Sequence, residues 1–61
     1  MTALGILYEK DGRNHLIFTT GEMLKVFEKT TQKYYFKVTT FDDIEVVIDP
    51  MSIKKMKMVQ I

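Results

Sequence analysis

Apolar and polar residues alternate along most of this chain, and turn signals interrupt the alternation roughly every eight to twelve residues. The clearest case is segment 33–40. Its predicted inward residues are Tyr34, Phe36 and Val38, and its predicted outward residues are Tyr35, Lys37 and Thr39. Thr, Val, Ile, Phe and Tyr are abundant, whereas Ala, the best helix former, occurs once. This pattern predicts short strands in a small antiparallel sheet.

Three turn signals define most of the predicted strands. Asp11-Gly12-Arg13-Asn14 is typical of a tight hairpin, because Asp-Gly and Asn tolerate positive φ. Residues 41–43 form a second hairpin connection, and residues 49–52 predict a single 3₁₀ or β-turn, since Pro50 stops a strand. The strands predicted between these turns are 4–9, 15–20, 33–40, 44–49 and 53–61.

Residues 21–32 fit two secondary structures. Gly21 breaks the alternation, and residues 23–29 then alternate as in a strand. The spacing of Thr19 and Glu22 is also that of a helix capping box, and Met23 and Phe27 would share a helix face. Val26 and the following Thr pair disfavour a helix, so we expect a strand. The fold class is therefore all-β, or a β-rich α+β fold if residues 21–32 are helical.

The whole chain, residues 1–61, is expected to form one domain, since it contains no linker or low-complexity segment. An antiparallel meander satisfies the pattern. Five or six short antiparallel strands with a tight turn before the last also resemble the small SH3-like or Sm-like barrels, over about residues 22–61. The resemblance is one of architecture and implies no function.

Composition argues against most enzymes. The 61 residues contain no cysteine, one His and one Ser. A Ser-His-Asp triad would need both the single Ser and the single His, and no thiolate is available to bind zinc. We expect no catalytic residue, no metal and no cofactor. The chain has no apolar run of the length that a membrane helix needs and no signal-peptide pattern, so a cytoplasmic location is expected and no membrane partner.

The last predicted strand carries apolar residues on both of its sides, and Phe27 and Val47 lie opposite the main core face of their strands. A single-faced core cannot bury all of them, which indicates a protein partner or a homo-oligomer. We expect a non-enzymatic protein-interaction module, such as a regulator, an inhibitor or a phage accessory protein, that self-associates or blocks a partner through the apolar C-terminal strand and an exposed sheet edge. The candidate partner-binding residues are Met56, Met58, Val59, Ile61 and Phe27.

Nucleic-acid binding is the alternative function. Residues 42–49 carry four acidic residues and no basic one, whereas residues 50–61 carry three lysines and no acidic one. Because consecutive strands usually pair, these charges are expected to neutralise each other across two neighbouring strands. A last strand that pairs elsewhere would leave its lysines available for phosphates. The candidate residues are Arg13, Lys33, Tyr35, Lys37, Lys54, Lys55 and Lys57.

Overall fold

The computed structural model describes residues 1–60, so the candidate Ile61 lies outside the described residues. Five strands make one antiparallel sheet in the order β4-β3-β2-β1-β5. Their bounds are β1 Thr2–Lys10, β2 Arg13–Glu28, β3 Lys33–Thr40, β4 Glu45–Ile48 and β5 Ile53–Gln60, with a 3₁₀ turn at Pro50–Ser52. The all-β meander is confirmed, and the helical alternative for residues 21–32 is wrong. Residues 1–60 include no helix long and apolar enough to cross a membrane.

The β1–β2 hairpin is closed by the two residues Asp11 and Gly12. Their φ values are 54° and 76°, and Lys10 pairs directly with Arg13 across the turn. Positive φ at both central positions defines the turn whose twist matches that of the flanking strands. The observed turn is thus two residues shorter than the predicted turn at residues 11–14, because β2 already begins at Arg13.

Gly21 bends β2 but does not end it. Thr19 pairs with Thr40 and Met23 with Val38, so four steps along β2 match two along β3. Gly21 has a φ of 94° within this bulge, and its N–H donates to Oγ1 of the buried Thr19 at 3.3 Å. A bulge bends its strand and adds twist. The expectation of two separate strands here is therefore wrong, because a Gly in this conformation lets one strand change direction.

The bend divides the sheet into two halves that share one core. One half contains β5, β1 and the first part of β2, and the other contains the rest of β2 with β3 and β4. Ile6, Val38 and Ile48 are at most 1% exposed and pack in one cluster, although β3 and β2 separate β4 from β1 in the sheet. The inner face of the sheet is therefore strongly curled around this cluster.

Two expectations about which side chains face the core are wrong. Ile44 was expected to face the core from a strand, but it lies exposed in the β3–β4 turn, where its N–H donates to Thr40 Oγ1. The expectation that Phe27 lies opposite the core face of its strand is wrong, because Phe27 shares the side of β2 on which Met23 packs against the core. Leu24 and Val26 therefore form the outer face. Alternation defined the two sides of this segment correctly, but both sides carry apolar residues.

The expected pairing of the acidic and basic strands is wrong. The 3₁₀ turn at Pro50–Ser52 carries the chain from β4 across to β1, where β5 pairs, so β4 and β5 form opposite edges. Asp49 caps this turn by accepting the N–H of Met51 at 2.9 Å, and the Ser52 hydroxyl donates to the Asp49 carbonyl at 2.6 Å. Local hydrogen bonds therefore fix the turn, as Pro50 predicts.

Candidate functional site

The outward side of β5 is an open sheet edge. Within residues 1–60, β5 pairs only with β1 and runs for 8 residues, whereas the opposite edge strand, β4, has 4. An edge strand leaves a row of backbone N–H and C=O groups available for another chain. We call this side of Ile53–Gln60 the β5 edge.

Two methionines lie on the inner face of the β5 edge, and the alternation predicts only that they share a side. Met56 is opposite the fully buried Ile6, and Met58 is opposite Leu4. The two methionine side chains are nevertheless 47% and 58% exposed. They border the hydrophobic core, and no further strand within residues 1–60 pairs beside them.

The outer face of β5 borders an apolar groove. Lys57 lies opposite Gly5 and Val59 opposite Ala3, and the groove has a volume of about 290 Å³. The groove extends down to the backbone at Gly5, which has no side chain, and the Phe18 ring lies about 3.4 Å from where a Cβ on Gly5 would stand. The residues lining this outer groove are Gly5, Leu7, Leu16, Phe18, Lys55, Lys57 and Val59.

The three lysines of β5 differ in their electrostatic surroundings. Lys54 lies at a bulge and forms an ion pair with Glu9 at 3.1 Å. Lys55 and Lys57 form no ion pair with any residue in 1–60. The outer face of the β5 edge therefore carries two positive charges that the described chain does not neutralise.

Phe27 lies in another part of the molecule. Among the described residues 1–60, Val26–Glu28 and Lys33–Tyr35 pair only with each other, so with the turn at 29–32 they form a two-stranded arm. The Phe27 ring packs against Tyr34 at 4.9 Å between centroids, and Lys25 Nζ lies 4.4 Å from the Tyr34 centroid. The structure therefore does not bring Phe27 together with the methionines of β5.

The arm and its base expose apolar side chains on both faces. Phe27 and Tyr34 are 46% and 50% exposed on the inner face, and Val26 and Leu24 are 44% and 62% exposed on the outer face. Sequence reasoning did not select Leu24, Val26 and Tyr34 as surface candidates. The signal was present, since both sides of this segment are apolar and one curled core covers only one of them.

The residues of the nucleic-acid alternative are spread over the molecule. Lys33, Tyr35 and Lys37 share the outer face of β3 as predicted, but Lys37 forms an ion pair with Glu45. β2 and β1 separate β3 from the lysines of β5, and Arg13 lies at the β1–β2 hairpin. Nucleic-acid binding through these residues stays a prediction.

A second cleft of about 440 Å³ lies beside the 3₁₀ turn. Three of its polar side chains are already engaged: Glu9 pairs with Lys54, Asp49 caps the turn, and Ser52 donates to Asp49. His15 stacks on Tyr8 with centroids 5.3 Å apart. Within residues 1–60 no three His, Cys, Asp or Glu side chains are grouped to hold a metal ion. The residues lining this cleft are Tyr8, Glu9, Lys10, Tyr35, Val47, Ile48, Asp49 and Ser52.

No protein-family model matches the chain, and comparisons with curated proteins and with solved structures found no match.

Proposed function

We propose that this protein is a non-enzymatic interaction module that binds a protein partner through β5. The observation that carries the proposal is an 8-residue open edge flanked by exposed apolar side chains on one face and an apolar groove on the other. Such a module would act as a regulator, an inhibitor or a phage accessory protein that covers a partner's surface.

Strand addition is the binding mode that fits this surface. An extended segment of the partner would hydrogen-bond to the β5 edge, and its alternate side chains would cover Met56 and Met58. Because full burial of a methionine is favourable by about 1.5–3 kcal/mol, covering two half-exposed ones would contribute roughly 1 kcal/mol each. Backbone hydrogen bonds would set the register of the added strand.

Backbone N-methylation tests this mode directly, and a chain of 61 residues is short enough for chemical synthesis. Random peptides displayed as a library are first selected on the wild-type protein. Two synthetic variants then carry an N-methyl group at Met56 or at Lys57. Adjacent amides of a strand point in opposite directions, so one methyl group disrupts pairing with β1 and the other caps the open edge.

We expect one of the two variants to keep the far-ultraviolet circular dichroism of the wild type and to bind the selected peptides at least tenfold more weakly. N-methylation at Asp42, which is exposed in the β3–β4 turn, is the matched control and should leave binding unchanged. A library that yields no binding peptide would contradict the proposal, as would undiminished binding by the folded, edge-capped variant.

Self-association through the arm is a second candidate. Two strands without a third are marginally stable in water, and this arm exposes apolar side chains on both faces. Packing against a second copy would cover Phe27 and Tyr34, which are already in contact. The interface would then lie at the arm, away from the β5 edge.

A further inference from the structure

We infer that the strand accepted by β5 is an acidic segment of a different protein, in which apolar side chains alternate with carboxylates. The inference rests on the proposed function and names the chemistry of its partner. It is carried by the charge pattern of the β5 edge.

The positive charges are regularly spaced on one face. Lys55 and Lys57 both lie on the outer face, two residues apart, and no residue in 1–60 forms an ion pair with either of them. Alternate residues of a strand are about 6.6–6.8 Å apart, which is also the spacing of alternate side chains on an added strand. Two carboxylates of such a strand would lie opposite the two lysines.

The inner face of the same edge requires apolar side chains. Met56 and Met58 alternate with the lysines and border the core at Ile6 and Leu4. An added strand continues both faces of the sheet, so its inward side chains contact the methionines while its outward ones contact the lysines. The partner segment is therefore amphipathic with period two.

Symmetric pairing of two copies of β5 is disfavoured by the same lysines. An antiparallel pairing centred on Met56 places Lys55 opposite Lys57 of the second copy. A pairing centred on Lys57 places this lysine opposite Lys57 of the second copy. Like charges directly opposite each other destabilise a strand pair. A two-fold arrangement in the middle of β5 would therefore gain backbone hydrogen bonds at the cost of repulsion.

The acidic edge of the chain itself is a poor match. β4 offers only 4 residues to pair with the 8 of β5, and Glu45 already forms an ion pair with Lys37. Asp49 is engaged in capping the 3₁₀ turn. A longer strand from another protein, with carboxylates that are not already paired, fits the β5 edge better.

Labelled peptides of the same length as β5 test the inference by fluorescence anisotropy. One alternates valine with glutamate, and its matched controls alternate valine with glutamine or with lysine. We expect the glutamate peptide to bind at least about fivefold more tightly than the glutamine peptide at low salt, because two opposite-charge pairs form. The lysine peptide should bind more weakly still, and high salt should reduce the differences.

Variants assign the preference to the two lysines. The double variant Lys55→Gln with Lys57→Gln should bind the glutamate and glutamine peptides equally, whereas Lys33→Gln, on exposed β3 surface, should keep the preference. Equal binding of the glutamate and lysine peptides by the wild type would overturn the inference. The proposed function would survive that result if the edge-capped variant still lost binding, and it would fail together with the inference if no peptide bound.

Light scattering without any peptide tests whether a second copy of the chain, and not a different protein, occupies the β5 edge. A mass above that of the monomer that falls to the monomer mass in the edge-capped N-methyl variant would show that a second copy occupies β5, and would overturn the inference.

Discussion

Asp11 and Gly12 show how single residues set the register of this sheet. Both have positive φ, and apart from Gly12 and its two chain neighbours no heavy atom of residues 1–60 lies within 4 Å of where a Cβ on Gly12 would stand. A side chain at Gly12 would therefore be penalised by backbone conformation and not by a clash. The turn holds Lys10 opposite Arg13, and the pairing of Tyr8 with His15 follows from that register.

We expect Gly12→Ala to lower the free energy of unfolding by about 1 kcal/mol, because an L-residue in left-handed conformation costs about 1–2 kcal/mol. Gly12→Asn is the matched control and should cost less, since Asn tolerates this conformation. Urea denaturation followed by circular dichroism measures both values. Equal midpoints for the wild type and Gly12→Ala would show that the turn does not require glycine.

At the level of elements, β2 belongs to both the common sheet and the arm because it is longer than its neighbours. Its first part pairs with β1 in the common sheet, and its last residues extend beyond both β1 and β4 into the arm. The arm gains its stability from β2–β3 pairing, the contact of Phe27 with Tyr34 and the position of Lys25 Nζ over the Tyr34 ring. Its exposed apolar side chains are the basis for self-association.

We expect the mass of the wild type in sedimentation velocity to rise with protein concentration, and Phe27→Lys to remain monomeric over the same range. Thr31→Lys adds the same charge in the exposed turn of the arm and serves as the matched control. A wild type that stays monomeric throughout, or a Phe27→Lys variant that associates equally well, would contradict self-association through the arm.

For the whole molecule, the curled sheet makes its two halves depend on one core. Ile6 of β1 and Ile48 of β4 pack in the same cluster, although two strands lie between them in the sheet. A single hydrophobic core in a chain of this size rarely supplies more than about 3–5 kcal/mol of stability. Loss of packing on either side should therefore affect both halves.

We expect Ile6→Val and Ile48→Val each to lower the free energy of unfolding by about 0.5–1.5 kcal/mol while unfolding stays a single transition. Native-state hydrogen exchange should show the loss at slowly exchanging amides of both halves. Val47→Ala, on the exposed outer face of β4, is the control and should have a smaller effect. Loss confined to the mutated half would mean that the halves unfold separately.

Much of the local structure could be predicted from the sequence. The bounds of β3, the turn at Asp11 and Gly12, the 3₁₀ turn after Asp49, and the two sides of β5 all follow from neighbouring residues. Alternation and turn chemistry are short-range properties, since they depend on φ, on side-chain direction and on hydrogen bonds within a few residues. The same rules placed Met56 and Met58 on one side of β5 and Lys55 and Lys57 on the other.

The tertiary structure alone decided which surfaces these patterns form. Both sides of β2 carry apolar residues in this segment, Leu24 and Val26 on one side and Met23 and Phe27 on the other. Only the packing of Met23 beside Val38 therefore showed which side faces the core. Likewise, β5 pairs with β1, which is distant in sequence, and this leaves Lys55 and Lys57 away from acidic β4. The sequence by itself determined most of the strands and turns and the two-sided patterns of the strands, because these are local. Which side is buried and which edge stays open was decided by long-range pairing and by how much apolar surface one small core can cover.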